Sequence, residues 1–172
     1  ASCAISIYVA FAFRTVSKPV SSWKYGVTTI ITLLHDILIM VGLFAILGVI
    51  FNVEVDSLFI TALLTIMGFS VHDTIVVFDR IRENLRKNID LKFDVVVNNS
   101  LLETLNRSLN TSITVLIVLF ALLLFGGESI RWFVVALIFG ITVGTYSSIF
   151  NAAQILVAWY EIDKRRKGEK VN

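Results

Sequence analysis

Between residues 25 and 51 the chain runs apolar for 27 residues, holds no Lys or Arg, and carries a single carboxylate, Asp36, beside His35. About 20 apolar residues in a helix cover the roughly 30 Å of hydrocarbon in a bilayer. Lipid offers no partner to backbone N–H and C=O groups, so only helices and closed barrels cross it. The run lacks the period-two alternation of a barrel strand, which leaves a helix. Four more apolar runs lie at 1–13, 58–78, 109–125 and 132–160. With 56% hydrophobic residues and a mean hydropathy of +0.83, the 172-residue chain has more apolar surface than one soluble core of its size could bury. The fold class that follows is all-α, a polytopic transmembrane helix bundle with five spans at 1–13, 25–51, 58–78, 109–125 and 132–160, forming one transmembrane domain over 1–172. Cys3 is the sole cysteine, so stability has to come from helix packing and not from an internal disulfide.

Charge placement orients the bundle. All but one of the 15 Lys and Arg residues fall on one side: after the first run, in the stretch 80–108, and in the tail 161–172. Arg131 alone lies opposite. The positive-inside rule makes the crowded side cytoplasmic, with 80–108 a cytoplasmic loop and the C-terminus inside. The first run has thirteen residues before Arg14 and begins at Ala1. It is shorter than a full span, lacks the basic start and small-residue cleavage site of a signal peptide, and reads as the end of a helix that begins upstream.

Two acids stand inside apolar runs. Asp73 is seven residues before Arg80, about 10 Å along a helix, and Asp36 is twelve after Lys24, about 18 Å. An ionised carboxylate at such depth costs about 3 kcal/mol or more, so each has to face protein or water and find a partner. A structural polar contact between helices and a proton-carrying group both meet that requirement, and for Asp36 the two readings weigh equally. Arg107, two residues before the 109–125 run, is the partner in reach of Asp73. Its guanidinium favours the anion while desolvation favours the neutral acid, the balance a proton-exchanging group needs. Equally, Arg107 can serve as one more basic anchor. His35 and His72 sit beside the acids as hydrogen-bonding neighbours, with proton relay as the lesser role.

Several chemistries are excluded by what the motifs lack. There is no HExxH and no His or Cys cluster for a metal, no GxxxxGK[ST] for a nucleotide, and no GxSxG for acyl transfer. The GxGD setting of intramembrane aspartyl proteases is missing around both acids. A machine driven by an ion gradient fits better than an enzyme. Nucleic-acid binding is not expected, because membrane topology already accounts for the basic residues, which can also meet anionic membrane lipid. Gly140, Gly144 and Ser148 recur every four residues and form a small-residue face for close helix approach. Thr142, Thr145, Ser147 and Asn151, with Asn110, Thr111, Ser112 and Thr114, add a polar seam. Past residue 78 the helix continues with Asp79 spaced to Arg82 and Glu83 to Arg86 and Lys87. The amphipathic stretch 88–103 then offers Leu91, Phe93, Val95, Val96, Leu101 and Leu102 to the membrane interface.

The sequence GFSVHDTIVVFDRIREN at 68–84 resembles the signature of the SecF family, the SecF subunits of the bacterial SecDF protein-export membrane complex. LLHDILIMVG at 33–42, ETLNRSLNTSITVL at 103–116 and LFGGESIRWFVVALIFGITVGTYSS at 124–148 resemble the flanking segments of that family. Resistance-nodulation-division transporters share the bundle but not this wording. The resemblance implies the last five of six family spans, with the first span and an outer periplasmic domain absent from the segment. It implies a multi-pass subunit of the bacterial inner membrane, paired with SecD and associated with the SecYEG translocon. There it draws a translocating preprotein across by the proton-motive force, with sodium as the alternative ion and no cofactor. It also implies that Asp73 and Arg107 take part in proton movement, with a further aspartate from SecD; Asp36 matches a family position of less defined role. The competing readings are a structural subunit that stabilises SecD or the channel, and a proton-coupled small-solute exporter.

Overall fold

The computed structural model describes residues 21–88 and 90–166. The expected span at 1–13 and the last six residues lie outside the described part. Four helices long and apolar enough to cross a membrane are present among the described residues, and no strand. They are α1 (Ser22–Phe51), α2 (Ser57–Lys87), α3 (Phe93–Phe125), and a rod in which α4 (Arg131–Tyr146) runs through a π-helical turn (Ser147–Ala152) into α5 (Ala153–Arg166). A short 3₁₀ turn, Glu128–Ile130, leads into α4.

Local chemistry sets the ends. α1 stops at Asn52, whose φ of 52° is left-handed, a common helix stop for asparagine. Four residues on, the Asp56 carboxylate accepts the Phe59 N–H at 2.9 Å and caps α2. α3 closes on Gly126, whose N–H donates to the Leu122 carbonyl at 2.7 Å. A Cβ there would lie 2.3 Å from that carbonyl oxygen, so only glycine closes the turn this way.

α2 is the hub, packed against α1, α3, α4 and the π turn, while α1 and α3 lie on opposite flanks of the α2–α4 pair. Small residues make the α2–α4 approach possible. A Cβ on Gly140 would sit 2.1 Å from Ile66 Cδ1, and one on Gly144 would sit 3.2 Å from Ser70 Cβ. One turn further, Ser148 meets Asp73. The outer faces of α1 and α3 stay apolar and uncovered, with Leu38, Val49, Ile117, Leu124 and Phe125 exposed, as a lipid-facing surface requires. Hydroxyls on the same helices donate to carbonyls one turn back, as in Thr29 to Tyr25, Thr32 to Thr28 and Thr114 to Asn110, so they do not face hydrocarbon unbonded.

The helix expected to continue past residue 78 does so, and most of the rest of the expected cytoplasmic loop at 80–108 is helical as well. α2 extends to Lys87 and α3 begins at Phe93, sixteen residues before the apolar run at 109–125, leaving a short connection between them. Part of the amphipathic face packs inside the bundle. Phe93 and Val97 pack with Val77, Phe78 and Ile81 of α2 and Ala152, Ala153 and Leu156 beyond α4, forming one of the bundle's apolar cores. Leu91, Val95 and Leu102 remain exposed. Polar contacts close the same junction: Asn84 Nδ2 donates to Ser100 Oγ at 3.0 Å and to Glu103 at 2.9 Å, and Arg80 also donates to Glu103. Those bonds, from Asn84 and then Arg80, hold the Glu103 carboxyl below the usual carboxylate range. This junction thus combines apolar contacts with matched hydrogen-bond donors and acceptors. The expected tail at 161–172 likewise begins as helix, since α5 persists to Arg166. It is tied to the start of α1 by a Lys24–Asp163 ion pair and by the edge-to-face Trp23–Trp159 contact at 5.1 Å.

Gly140→Ala should therefore lower stability by about 1–3 kcal/mol through overpacking against Ile66. Ile66→Ala made in the same chain should recover at least about 0.5 kcal/mol of the summed loss. Unfolding in mixed detergent, read by circular dichroism, checks both values; simple additivity would mean that the two residues do not meet.

Candidate functional site

The turn of α2 from Ser70 to Thr74 places two polar side chains where the bundle is tightest. Asp73, 7% exposed, accepts from Ser108 Oγ of α3 at Oδ1 (2.6 Å) and from Ser148 Oγ of the π turn at Oδ2 (2.8 Å). Ser70, one turn earlier, donates its hydroxyl to Asp36 Oδ2 at 2.6 Å. Asp36, 1% exposed, also meets His35 Nδ1 at 3.1 Å, and His35 Nε2 lies 3.5 Å from Asn151 Nδ2. Beside Asp73, Ser112 of α3 and Thr145 of α4 share a hydrogen bond at 2.6 Å. Both acids thus end in a seam of hydroxyls and amides drawn from every long helix.

The pairing expected between Asp73 and Arg107 does not form. Arg107 is exposed, and among the described residues it has no ion-pair partner. Successive residues on a helix turn by about 100°, so the position that enters the seam is its neighbour Ser108. His72 is likewise exposed although Asp73 beside it is buried. His35, half-buried, is the histidine that joins the seam. Gly140, Gly144 and Ser148 lie in register against Ile66, Ser70 and Asp73. Ser70 and Ser108 escaped the sequence reading; the signal that could have found them is their spacing, Ser70 three residues before Asp73 and Ser108 four before Ser112. The π turn has no sequence mark at all. Such turns insert one extra residue and occur often at functional sites, and here the turn carries Ser148 and Asn151 toward the two acids. Among the described residues no three His, Cys, Asp or Glu side chains cluster as a metal ion would need.

A family model described as protein export membrane protein SecD/SecF, C-terminal, matches residues 1–162. The chain belongs to the SecD/SecF C-terminal family. Among curated members, it is 59% identical to the protein translocase subunit SecF of Thermobaculum terrenum over 95% of this chain and 50% of that one. It is 48% identical to the SecF subunit of Anaerolinea thermophila over 92% and 51%. The protein translocase subunit SecDF of Thermus thermophilus is 41% identical over 98% of this chain and 21% of its own length. A crystal structure of SecDF in a super-membrane-facing form superposes with a TM-score of 0.86 at 40% identity, covering 97% of this chain and 21% of that one. The chain therefore spans about half the length of the SecF relatives it matches.

Double-mutant cycles separate the observed contacts from the expected one. Asp73→Asn with Ser108→Ala, and Ser112→Ala with Thr145→Val, should each show coupling of about 0.6–1.7 kcal/mol, the range for interhelical hydrogen bonds in membranes. Asp73→Asn with Arg107→Gln should be additive within about 0.3 kcal/mol in this chain alone. Strong Asp73–Arg107 coupling in detergent would contradict the seam described here.

Proposed function

We propose that this chain is the membrane region of a SecF-type subunit that works with SecD to promote polypeptide export through the SecYEG translocon. In this reading it is driven by the proton-motive force, or by sodium in its place. The observation that carries the reading is the pair of buried carboxylates in a hydroxyl-lined seam, on a fold matched by a SecDF crystal structure. SecD as the partner draws support from the SecDF relative, a single protein whose name joins the two. Placement in the bacterial inner membrane with the C-terminus cytoplasmic rests on the Lys and Arg distribution. A fifth span before residue 21 and a resistance-nodulation-division type of bundle belong to the same proposal.

The mechanism is cyclic protonation of Asp73. Its hydroxyl partners accept either charge state, and its neutralisation shifts the packing of α2 against α3 and the π turn. Arg107, on the outward side of α3 next to Ser108, is positioned to meet groups that SecD would supply; in this role it acts across a subunit boundary. The process is transport, with no chemical conversion assigned to any residue. A second reading, a purely structural subunit, draws on the small-residue packing of α2 on α4.

Preprotein import into inner-membrane vesicles under an imposed proton gradient tests the choice, with the full-length subunit and SecD present. Asp73→Asn should abolish the gradient-dependent part of import while the SecD complex still assembles. Import at the wild-type level would end the proton-coupling reading, and loss of assembly would favour the structural one.

A further inference from the structure

The π turn and Ser148 are unaccounted for by packing alone. Ser148 Oγ carries one proton and lies within reach of two acceptors, Asp73 Oδ2 at 2.8 Å and the Thr145 carbonyl at 3.0 Å. It is fully buried, so water does not compete for that proton. The Thr145 carbonyl sits where α4 passes into the π turn. We propose that Ser148 is the positioning residue that transmits the charge of Asp73 to the π turn, an inference that rests on the proton-coupled reading above.

With Asp73 ionised, the charge-assisted bond is the stronger, and the Ser148 proton points at Oδ2. When a proton adds to the carboxylate, one O–H bond forms on Asp73 and donates to a lone pair of Ser148 Oγ. No bond breaks in Ser148; its hydroxyl rotates and donates to Thr145 O. Both states are fully hydrogen-bonded, yet only the neutral one loads the carbonyl at the α4 junction. Hydroxyl back-bonding of that kind bends and loosens helices, and π turns hold their irregular bonding only with local support. The charge on one atom group is thereby converted into a change of backbone bonding in the rod that continues as α5. The other titratable groups near this exchange are few. Asp36 and His35 approach from α1, Arg107 flanks Ser108 on the exposed side of α3, and His72 on α2 faces outward. The described parts of α4 and the π turn contribute no acid, histidine, lysine or arginine after Arg131.

Amide hydrogen exchange and infrared spectroscopy on the full-length subunit with SecD in liposomes test this. The starting condition is a pH at which the wild type shows the carboxylate band that Asp73→Asn removes. Asp73→Asn, the neutral mimic, should speed exchange at the amides of residues 147–152 by at least about tenfold over wild type. In a Ser148→Ala background the same substitution should add nothing, and Ser148→Thr, which keeps the hydroxyl, should restore the response. On acidification the Asp73 C=O stretch should appear at higher frequency in Ser148→Ala than in wild type, because the carboxyl has lost the acceptor of its O–H. An unchanged exchange rate in Asp73→Asn, or an undiminished response in Ser148→Ala, overturns the role of Ser148. If import fails in Asp73→Asn while exchange is unchanged, this inference falls and proton coupling stands. If import survives, proton coupling itself falls.

Discussion

A carboxylate removed from water into a bundle surrounded by hydrocarbon has to be stabilised from within, and two of them, Asp36 and Asp73, set the terms for the interior of this chain. An acid at this depth costs about 3 kcal/mol on insertion scales. A hydrogen bond to a charged group returns about 1.5–3 kcal/mol, so two bonds per acid are of the size needed. Asp73 receives them from Ser108 and Ser148, and Asp36 from Ser70 and His35. Each donor comes from a defined helix face, and satisfying both acids fixes the rotation of α1, α3 and the π turn about α2. Replacing those donors by apolar side chains would remove the reason for that rotation.

The donors have short side chains, and that makes the second condition one of distance. A serine hydroxyl spans two helices only when the backbones come close, and close approach needs residues without bulk at the contact. Gly144 lets Ser70 in, Gly140 admits Ile66 one turn outward, and Ser148 continues the row at Asp73. The glycines and the acids therefore form one device: the first bring α2 and α4 together, and the second make use of the proximity. A regular α-helix beyond Tyr146 would carry Ser148 and Asn151 around at 100° per residue. The i, i+4 spacing of Gly140, Gly144 and Ser148 already keeps Ser148 on the face that meets α2, and within the π turn Asn151 meets His35 on α1.

Much of this was legible in the sequence. Apolar length alone locates the membrane helices, because lipid permits no other backbone solution at that polarity. Asp36 and Asp73 stand out as lone acids in apolar runs, and the glycine spacing marks the face of α4 that meets α2. What could not be read were matters of phase and partner choice. Arg107 carries the obvious opposite charge, but it is one residue, and thus about 100°, away from the position that faces Asp73; the uncharged Ser108 draws no notice in a list of charges. The amphipathic character of 88–103 was legible, but not what covers it: Phe93, Val97 and Leu101 pack against α2 and the rod beyond α4. Composition reports how much of a face is apolar and not which element will cover it. The π turn, Ser147–Ala152, leaves no mark in the pattern of apolar and polar residues.

The absence of a cation beside Asp73 among the described residues has a physical consequence that a salt bridge would reverse. An arginine in contact stabilises the anion alone, and neutralising the acid then leaves a buried guanidinium uncompensated at a cost of about 3–5 kcal/mol. A hydroxyl both donates and accepts. Ser108 and Ser148 can serve the anion as donors and the neutral acid as acceptors with no more than a rotation about a C–O bond. An acid held in this way can change charge with its neighbours still hydrogen-bonded, through reorientation of the hydroxyls around it. For a carboxyl on the hub helix, that is the arrangement the proposed proton coupling asks for, since both charge states keep hydrogen-bonding partners.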